Sequence, residues 1–443
     1  MQGNSPSSTY QSPWRGSMVM APSGRNATWD KPRHSHRQSL STYSMGGTQE
    51  VLPPDVDIMD GLIETALRTI GVPEEDPDQE KVEVKDSTYI GSYNWLKGDA
   101  PAILVPGSPP QWQNRSTPYN IPPDTGIYFS DQNGYRMPRA VLLPLIAAVN
   151  KQVEVHKRPK FDWASVDIVT DRNNLRKLTR WVSGETRDFR IDLQLAGKKA
   201  ILMNRWEGRK REYFNGRTYG FSFEKASTEP APGCKESTGH HRIITYDLNG
   251  LKMVVRFEVD ACIPPVTKYP RRSIASMSEL TSSLNALSLA QANTALASSS
   301  SLRSNQLRIF EGGIEVSSTS VIELTTRSQL TIKQYGFNWK EAYPQLFFSQ
   351  TAHHFLAIHQ RGRFVEVQKR KLMSEQLQAV EEDVQVELKK VRKALDVIRE
   401  IVLEHGLDGR LSLVCVEGEL KVYKRQSDES CLPESALRLF ESS

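Results

Sequence analysis

The sequence contains no long apolar segment and few cysteines. Its 443 residues include no run of eighteen or more apolar residues, so no membrane-spanning helix is expected. The first residues lack the basic and apolar segments of a secretion signal, which predicts that the protein is not secreted. The four cysteines are far apart and form no CxxC pair. They are therefore expected to be reduced thiols of a nuclear or cytoplasmic protein, not a disulfide framework or a zinc site.

The signatures of several large enzyme classes are also missing. The sequence has no Walker A loop, no Rossmann glycine pattern, no GxSxG elbow and no aspartate-rich DDxxD segment. His240-His241, His353-His354 and His359 lack the HExxH spacing of a zinc protease, and we interpret them as ordinary surface or core residues. A net charge of +5 slightly favours a partner that carries phosphates but does not decide the function.

Composition divides the chain into three kinds of segment. Residues 1–50 are rich in Ser, Pro, Gly, Asn and Gln without apolar periodicity, and they are predicted to form a disordered tail. Residues 51–443 are predicted to form a single globular domain. A Ser-, Ala- and Leu-rich stretch at 268–306 is predicted to be a disordered insertion in that domain. Basic clusters at 31–37 and 268–272 would permit nuclear import.

Apolar residues at helical spacing predict five helices. They are expected at 57–70, 141–149, 173–182, 340–359 and 373–404. In the last of these, Leu377, Val384, Val391 and Ile398 recur at heptad spacing. That spacing would also suit a coiled-coil partner, but the commoner arrangement packs one apolar face on the protein's own sheet.

Alternating apolar residues predict the strands. Hairpins are expected over 189–203, 242–261 and 411–423, and separate strands at 166–170 and 314–325. The second hairpin is the clearest because Asn249-Gly250 suits a type I′ turn, in which both central residues have positive φ.

Three acidic residues lie on two of these strands. Glu258 and Asp260 end the second hairpin and, being two residues apart, project from the same face. Glu323 lies between apolar residues on the strand at 314–325. A solvated edge strand would tolerate such a pair, but the apolar Val254-Val255 before it favours a central strand. If the strands are adjacent, the carboxylates offer the oxygen ligands that magnesium or manganese prefers.

Five short motifs occur in a fixed order between residues 162 and 364. They are Val166-Asp167-Ile168-Val169-Thr170-Asp171-Arg172-Asn173, Tyr219-Gly220-Phe221-Ser222-Phe223-Glu224, Glu258-Val259-Asp260, Val321-Ile322-Glu323-Leu324-Thr325 and Phe347-Phe348-Ser349-Gln350. Their order resembles that of the decapping exoribonuclease (DXO) family, which includes the proteins that bind and stabilise the nuclear Rat exonuclease. Only Arg172 remains of the functional end of the family's first motif.

The resemblance implies an α+β fold with mixed central β-sheets flanked by helices, a PD-(D/E)XK-like decapping-nuclease fold. The residues that it assigns to a catalytic magnesium or manganese site are Glu224, Glu258, Asp260, Glu323 and the backbone carbonyl of Leu324. It implies that Gln350 positions the attacking water or the scissile phosphate, and that Arg172 contacts a backbone phosphate of RNA. The implied partners are RNA 5′ ends and a 5′-to-3′ exonuclease, in the nucleus or the cytoplasm.

One position departs from the family pattern. Thr325 occupies the place of the lysine in Glu-x-Lys, and losing such a charged group typically lowers a rate by roughly 100- to 1,000-fold. Arg327, on the same strand face, and Lys333, expected in a loop, are candidate substitutes. Two functions follow from the resemblance. One is a metal-dependent hydrolase that removes incomplete or non-standard caps from RNA 5′ ends, with 5′-to-3′ exonuclease activity. The other is a catalytically weakened relative that binds RNA 5′ ends or a partner exonuclease.

Overall fold

The described part of the chain contains twenty strands and nine α-helices. In the computed structural model this part comprises residues 51–75, 78–265 and 306–441. The predicted tail at 1–50 and nearly all of the predicted insertion at 268–306 lie outside the described residues. Both predictions therefore stay predictions.

The strands, in chain order, are β1 Leu62–Ile70, β2 Val84–Leu96, β3 Ala102–Pro106, β4 Gln111–Trp112, β5 Tyr119–Asn120, β6 Thr125–Phe129, β7 Ile168–Asp171, β8 Phe189–Ala196, β9 Ala200–Trp206, β10 Arg211–Asn215, β11 Thr228–Glu229, β12 Ser237–Leu248, β13 Leu251–Glu258, β14 Ala261–Cys262, β15 Arg308–Gly312, β16 Val321–Ser328, β17 His353–Gln360, β18 Arg363–Lys371, β19 Arg410–Val416 and β20 Glu419–Arg425. The helices are α1 Gln132–Arg136, α2 Leu143–Val155, α3 Arg172–Val182, α4 Gly220–Ser227, α5 Gln329–Tyr335, α6 Trp339–Ser349, α7 Glu375–Asp383, α8 Gln385–His405 and α9 Glu434–Leu437.

Eleven strands form the larger sheet, in the order β1-β20-β19-β8-β9-β7-β13-β12-β2-β3-β15. All three predicted hairpins are confirmed within it, as β8 with β9, β12 with β13 and β19 with β20. In the second hairpin Asn249 and Gly250 have φ of 45° and 85°, as a type I′ turn requires. Strand β7 is parallel to both β13 and β9, so the sheet is mixed.

Seven strands form a second sheet, in the order β11-β4-β14-β16-β17-β18-β5, and β6 pairs with β10 in a separate two-stranded ribbon. The chain passes from the larger to the smaller sheet directly after β13, because only Val259 and Asp260 separate β13 from β14. Strand β14 runs antiparallel to β16, with Ala261 opposite Ile322. This passage therefore brings the end of β13 next to β16.

Helices cover both faces of the larger sheet. Met253 and Val255 of β13 belong to a core that includes residues of α3, α6 and α8. The intervening Val254 belongs to a second core that includes residues of α2. Because successive residues of a strand point to opposite faces, these two cores lie on opposite sides of the sheet. The predicted α+β class, with mixed sheets flanked by helices, is confirmed. All four cysteines are buried free thiols.

The predicted helix at 373–404 is two helices. The helical conformation is interrupted at Val384, between α7 and α8. Gln385, the first residue of α8, uses its side-chain amide to bond both the N–H and the carbonyl of Val82, at 2.8 and 3.2 Å. The apolar face of α8 packs in the first core, as the favoured alternative to a coiled coil expected. Within the described residues, no helix is long and apolar enough to cross a membrane.

The predicted helix at 57–70 is wrong, because Leu62–Ile70 is the edge strand β1, paired with β20. The pairing is irregular between Leu62 and Ala66 and again before Arg68. These irregularities disturb the two-residue alternation, so that Leu62, Ala66 and Ile70 turn inward at a spacing of four. A bulged strand thus imitates the spacing of a helix.

Two other segments end earlier or begin later than predicted. The helix expected at 340–359 is α6, which ends at Ser349, and the chain then enters β17 between two strands of the smaller sheet. The residues from His353 to Ile358 show no regular alternation of polar and apolar side chains, so their sequence does not distinguish a buried strand from a buried helix. The strand expected at 314–325 begins only at Val321, after a 3₁₀ turn at Ser318–Ser320.

Candidate functional site

The passage from β13 to β14 holds two of the predicted acids. Glu258 is the last residue of β13, and Asp260 precedes β14. Asp260 Oδ2 accepts a hydrogen bond of 2.7 Å from the backbone N–H of Leu324. Since Leu324 follows Glu323 on β16, this bond holds Asp260 beside the third predicted acid. Solvent reaches Glu258, whereas Asp260 is half-buried.

Glu323 is buried, and both of its carboxylate oxygens accept hydrogen bonds. Arg172, the first residue of α3, donates from Nη1 to Oε2 at 2.8 Å. Gln345 of α6 donates from Nε2 to Oε1. Arg172 Nη1 also lies 3.4 Å from Ser349 Oγ at the end of α6. Two helices and β16 therefore meet at this carboxylate.

A buried ion pair fixes the start of α3. Arg256 of β13 donates from Nε and Nη2 to the two carboxylate oxygens of Asp171, at 2.6 and 2.8 Å. It also donates to a backbone carbonyl and to a tyrosine hydroxyl, and its side chain is fully buried. Asp171 immediately precedes Arg172, and Arg256 lies two residues before Glu258. The pair therefore ties the predicted phosphate-binding arginine to the strand that carries the acids.

Glu224 lies on α4, whose start is capped from a distant part of the chain. Asp124 Oδ1 accepts from the backbone N–H of Ser222 at 2.7 Å, and Oδ2 accepts from the hydroxyl of Thr218 at 2.8 Å. A carboxylate at this end also interacts favourably with the helix dipole. Phe223 is buried in a small core that α4 shares with the smaller sheet. Together these contacts fix the helix that presents Glu224.

The pKa values of three of the acids, Glu224, Glu258 and Asp260, are raised. Burial, followed by the charges of Glu258 and Glu323, raises the pKa of Glu224 to about 8. Burial and the charges of Glu323 and Glu224 raise the pKa of Asp260 well above its ordinary value. The surrounding protein also desolvates the carboxyl group of Glu258 and raises its pKa, although part of the side chain is exposed and two arginines oppose this shift. Burial and the repulsion between these carboxylates therefore disfavour their charged forms.

Two glutamines of the α6 region differ in what they contact. The predicted Gln350 follows the helix in the left-handed conformation, and its Nε2 donates to the carbonyl of Phe347 at 2.6 Å. Gln345, which is outside the five motifs, contacts Glu323 instead. Gln345 and Ser349 are four residues apart on one helix face, so helical spacing from the motif could have indicated Gln345. The role of Gln350 stays a prediction.

Among the described residues, Thr325, at the site of the missing lysine, makes no side-chain hydrogen bond to a lysine or an arginine. The hydroxyl of Thr325 lies 3.0 Å from Nε2 of the buried His354. Arg327 donates to its neighbour's backbone carbonyl at 2.9 Å and lies over the ring of Phe337. Lys333 is exposed in the last turn of α5, not in the expected loop.

Two further charged residues outside the motifs surround Glu258. Arg205 of β9 donates to Glu207 at 2.9 Å, and its charge opposes the raised pKa of Glu258. Asp131 caps α1 by accepting from the N–H of Gly134 at 3.0 Å, and burial raises its pKa. Both come from segments distant in sequence, and no local pattern marks either as part of a site.

The donor set suits a hard divalent cation, although the side chains do not already surround one. Across residues 51–75, 78–265 and 306–441, no three His, Cys, Asp or Glu side chains are grouped so that they could hold a metal ion. Glu323 uses both oxygens on Arg172 and Gln345. The raised pKa values of Glu224 and Asp260 nevertheless identify carboxylates whose charge the protein leaves unbalanced. The residues therefore fit a metal by donor chemistry, and Glu323 would have to rearrange to join them.

The fold is similar to those of solved Rai1 structures. Rai1 of Scheffersomyces stipitis, in complex with (3'-NADP)+ and a calcium ion, matches with a TM-score of 0.53 and 10% identity over 84% of this chain and 99% of that chain. Rai1 of Candida albicans, in complex with pU5-Mn2+, matches with a TM-score of 0.52 and 11% identity over 85% and 99%. This chain has the Rai1 fold, which confirms the decapping-nuclease fold that the five motifs predicted.

Residues 65–439 match the sequence family described as a domain of unknown function (DUF8563). The chain belongs to that family. No curated protein matches the sequence.

Proposed function

We propose that this protein is a divalent-metal-dependent hydrolase of RNA 5′ ends, which removes incomplete or non-standard caps and degrades RNA from the 5′ end. The observation that carries the proposal is the passage after β13, which holds Glu258 and Asp260 next to β16, where Asp260 accepts a hydrogen bond of 2.7 Å from the N–H of Leu324 beside Glu323. The raised pKa values of Glu224 and Asp260 support it. The Rai1 structures of the same fold are complexes with a calcium ion and (3'-NADP)+ and with pU5-Mn2+, which supports a metal and a nucleotide as ligands.

In this proposal the residues that would hold magnesium or manganese are Glu224, Glu258, Asp260, Glu323 and the carbonyl of Leu324. When bound, such ions polarise a phosphoryl oxygen and lower the pKa of a bound water. Arg172 would turn its guanidinium from Glu323 to the scissile phosphate, for which its planar donors are suited. Gln345 would keep Glu323 in place during that exchange. Gln350 would position water after leaving the carbonyl of Phe347.

A second function is favoured by Thr325. Burial and the charges of Arg370 and Arg327 lower the pKa of His354 to about 3, so the imidazole that contacts Thr325 is neutral at pH 7. Neither Thr325 nor His354 therefore supplies the positive charge of the expected lysine. A catalytically weakened relative would still bind RNA 5′ ends, or a partner exonuclease, through the same site.

Hydrolysis of defined RNA ends tests the proposal. The purified full-length chain is incubated with 5′-triphosphate, unmethylated-cap and NAD-capped RNA, with manganese or magnesium. We expect product with the wild type, and a loss of roughly 1,000-fold or more in Glu258→Ala/Asp260→Ala, because the carboxylates that balance the metal are removed. The matched control, Glu64→Ala/Glu366→Ala, removes two exposed acids elsewhere and should retain the activity.

If the wild type gives no more product than Glu258→Ala/Asp260→Ala on any of the three RNAs, the hydrolase proposal is wrong. RNA binding by the wild type in that case would support the second function.

A further inference from the structure

The ribbon of β6 and β10 carries an aromatic cluster next to α4. Tyr128 and Phe221 are stacked, with ring centroids 4.1 Å apart and an interplanar angle of 12°. Phe214 meets both rings edge-on, at 5.4 and 5.1 Å. In the ribbon register, Tyr128 pairs with Glu212 and Phe214 pairs with Gly126, so Tyr128 and Phe214 share one face. We call Tyr128, Phe214 and Phe221 the aromatic face.

This aromatic face is not part of the folded interior. Each of its three rings is only partly buried. Among the described residues, none of the four buried cores includes them. Gly126, opposite Phe214, leaves open space, because a Cβ there would meet no atom within 4 Å. Three partly exposed aromatic rings outside any core are available to a planar ligand.

Helix α4 joins this face to the acids. Glu224 and Lys225 lie three and four residues after Phe221, so each of them neighbours Phe221 on the helix surface. Lys225 is exposed. The residues from Arg205 to Lys225 contain six cations and three acids. Helix α4 therefore presents a candidate metal ligand and a cation, Glu224 and Lys225, each next to the aromatic ring of Phe221.

We propose that the aromatic face stacks one base of a single-stranded RNA, next to the phosphate that approaches Glu224. The inference rests on the proposed function, because it takes RNA as the ligand of that site. A base offers a further planar partner to the stacked pair of Tyr128 and Phe221, and stacking on aromatic side chains tolerates any base. Lys225 contacts a backbone phosphate, whereas Glu212, which is on the same ribbon face as Tyr128, favours the base over the phosphates there.

RNA binding without hydrolysis tests the inference. A 3′-labelled, 5′-phosphorylated RNA hexamer and the same hexamer with its two 5′ nucleotides abasic are titrated with the full-length chain in EDTA, and anisotropy is recorded. Phe221→Leu and Tyr128→Leu keep an apolar side chain and remove the ring. Tyr335→Leu, which changes a 66% exposed tyrosine at the end of α5, is the matched control.

We expect Phe221→Leu and Tyr128→Leu to bind the intact hexamer roughly 5- to 150-fold more weakly than the wild type, the range for loss of one base–aromatic stack. The abasic hexamer should bind the wild type and these variants equally, and Tyr335→Leu should match the wild type on both RNAs. Unchanged affinity for the intact hexamer, or an equal loss with the abasic hexamer, would overturn the inference. So would a wild type that binds neither RNA.

Two outcomes separate this inference from its alternatives. If both variants lower the melting temperature without changing the affinity for RNA, the aromatic face is only a local packing cluster, and the inference is wrong. If base-dependent binding is found but the wild type hydrolyses no RNA, the hydrolase proposal is wrong and the stacking inference stands.

Discussion

Two sets of charged side chains lie near the end of β13, and they differ in how their charge is balanced. Arg256 meets Asp171 through two hydrogen bonds of 2.6 and 2.8 Å, so that each charge has its partner. Glu224 and Asp260, by contrast, lie among other acids, and burial together with that repulsion raises the pKa of both. The charges of Arg256 and Asp171 therefore balance each other, whereas the acids Glu224 and Asp260 do not have such a partner in each other.

The difference separates structural from functional charge. A buried ion pair that is fully hydrogen-bonded fixes the geometry of its elements, here the start of α3 against β13, and removing one partner leaves an unpaired charge. A group of unbalanced acids lowers stability, and such groups are found where a ligand or a reaction uses them. Changes to either set of charges test this contrast.

The largest effect is expected from breaking the balanced pair. Arg256→Met leaves the Asp171 carboxylate buried without its partner, which should lower the free energy of unfolding by about 3–5 kcal/mol. Glu224→Gln, which removes a charge from the unbalanced cluster, should cause no loss at pH 8 without metal. Urea denaturation followed by circular dichroism measures both. Equal losses in the two variants would contradict the contrast.

The second effect is stabilisation by metal. Manganese that binds only the folded protein should raise its free energy of unfolding by about 2.7 kcal/mol at a concentration 100 times the dissociation constant. Glu258→Ala/Asp260→Ala should show no such rise, and Glu64→Ala/Glu366→Ala should behave like the wild type. Thermal unfolding with and without manganese measures the effect. A rise of the same size in all three proteins would show that manganese binds elsewhere.

A third, smaller effect concerns the missing lysine. Thr325→Lys adds a positive charge on the strand face of Glu323, and we expect it to raise the rate of RNA hydrolysis by about tenfold, part of what such charges supply. Thr326→Lys is the control, because the neighbouring residue points to the opposite face of β16. The rates of both variants are compared under saturating manganese. An equal gain in both would assign the effect to overall charge.

The smallest effect is a pH dependence of the metal-free protein. The folded protein holds the proton of Glu224 up to about pH 8, whereas the unfolded chain loses it near 4.5. Between these values the folded state binds more protons, so the free energy of unfolding should fall as the pH rises. The fall between pH 7 and 8 should be less than about 1.4 kcal/mol, the limit for one group. Glu224→Gln should flatten it, and a wild-type curve that rises over this interval would contradict the assignment.

The acids could be found from sequence because strand alternation and a clear turn place them. Asn249-Gly250 fixes the hairpin, and Glu258 and Asp260 follow at a spacing of two. The motifs also indicated Glu224 and Glu323, and the structure places both beside the hairpin acids. Local sequence patterns were therefore sufficient to identify the four carboxylates.

The other features of the fold and of the candidate site depend on contacts between segments that are distant in sequence. The pairing of Arg256 with Asp171 joins residues 85 apart, and no local pattern predicts that these two residues pair. Gln345 reaches Glu323 only because α6 packs where it does. The error at β1 has a similar origin, because irregular pairing with β20 gave Leu62, Ala66 and Ile70 the spacing of a helix. The periodicity of a segment does not show which strand it will pair with, and that pairing decides whether the segment forms a strand or a helix.

Calorimetric titration of the metal-free, full-length protein with manganese at pH 8 tests the central claim, that the unbalanced acids form a divalent-metal site. The account predicts saturable binding by the wild type and an affinity at least roughly 100-fold lower in Glu258→Ala/Asp260→Ala, because ligands in direct contact matter more than supporting residues. Binding of equal affinity by the wild type and this double variant would contradict it.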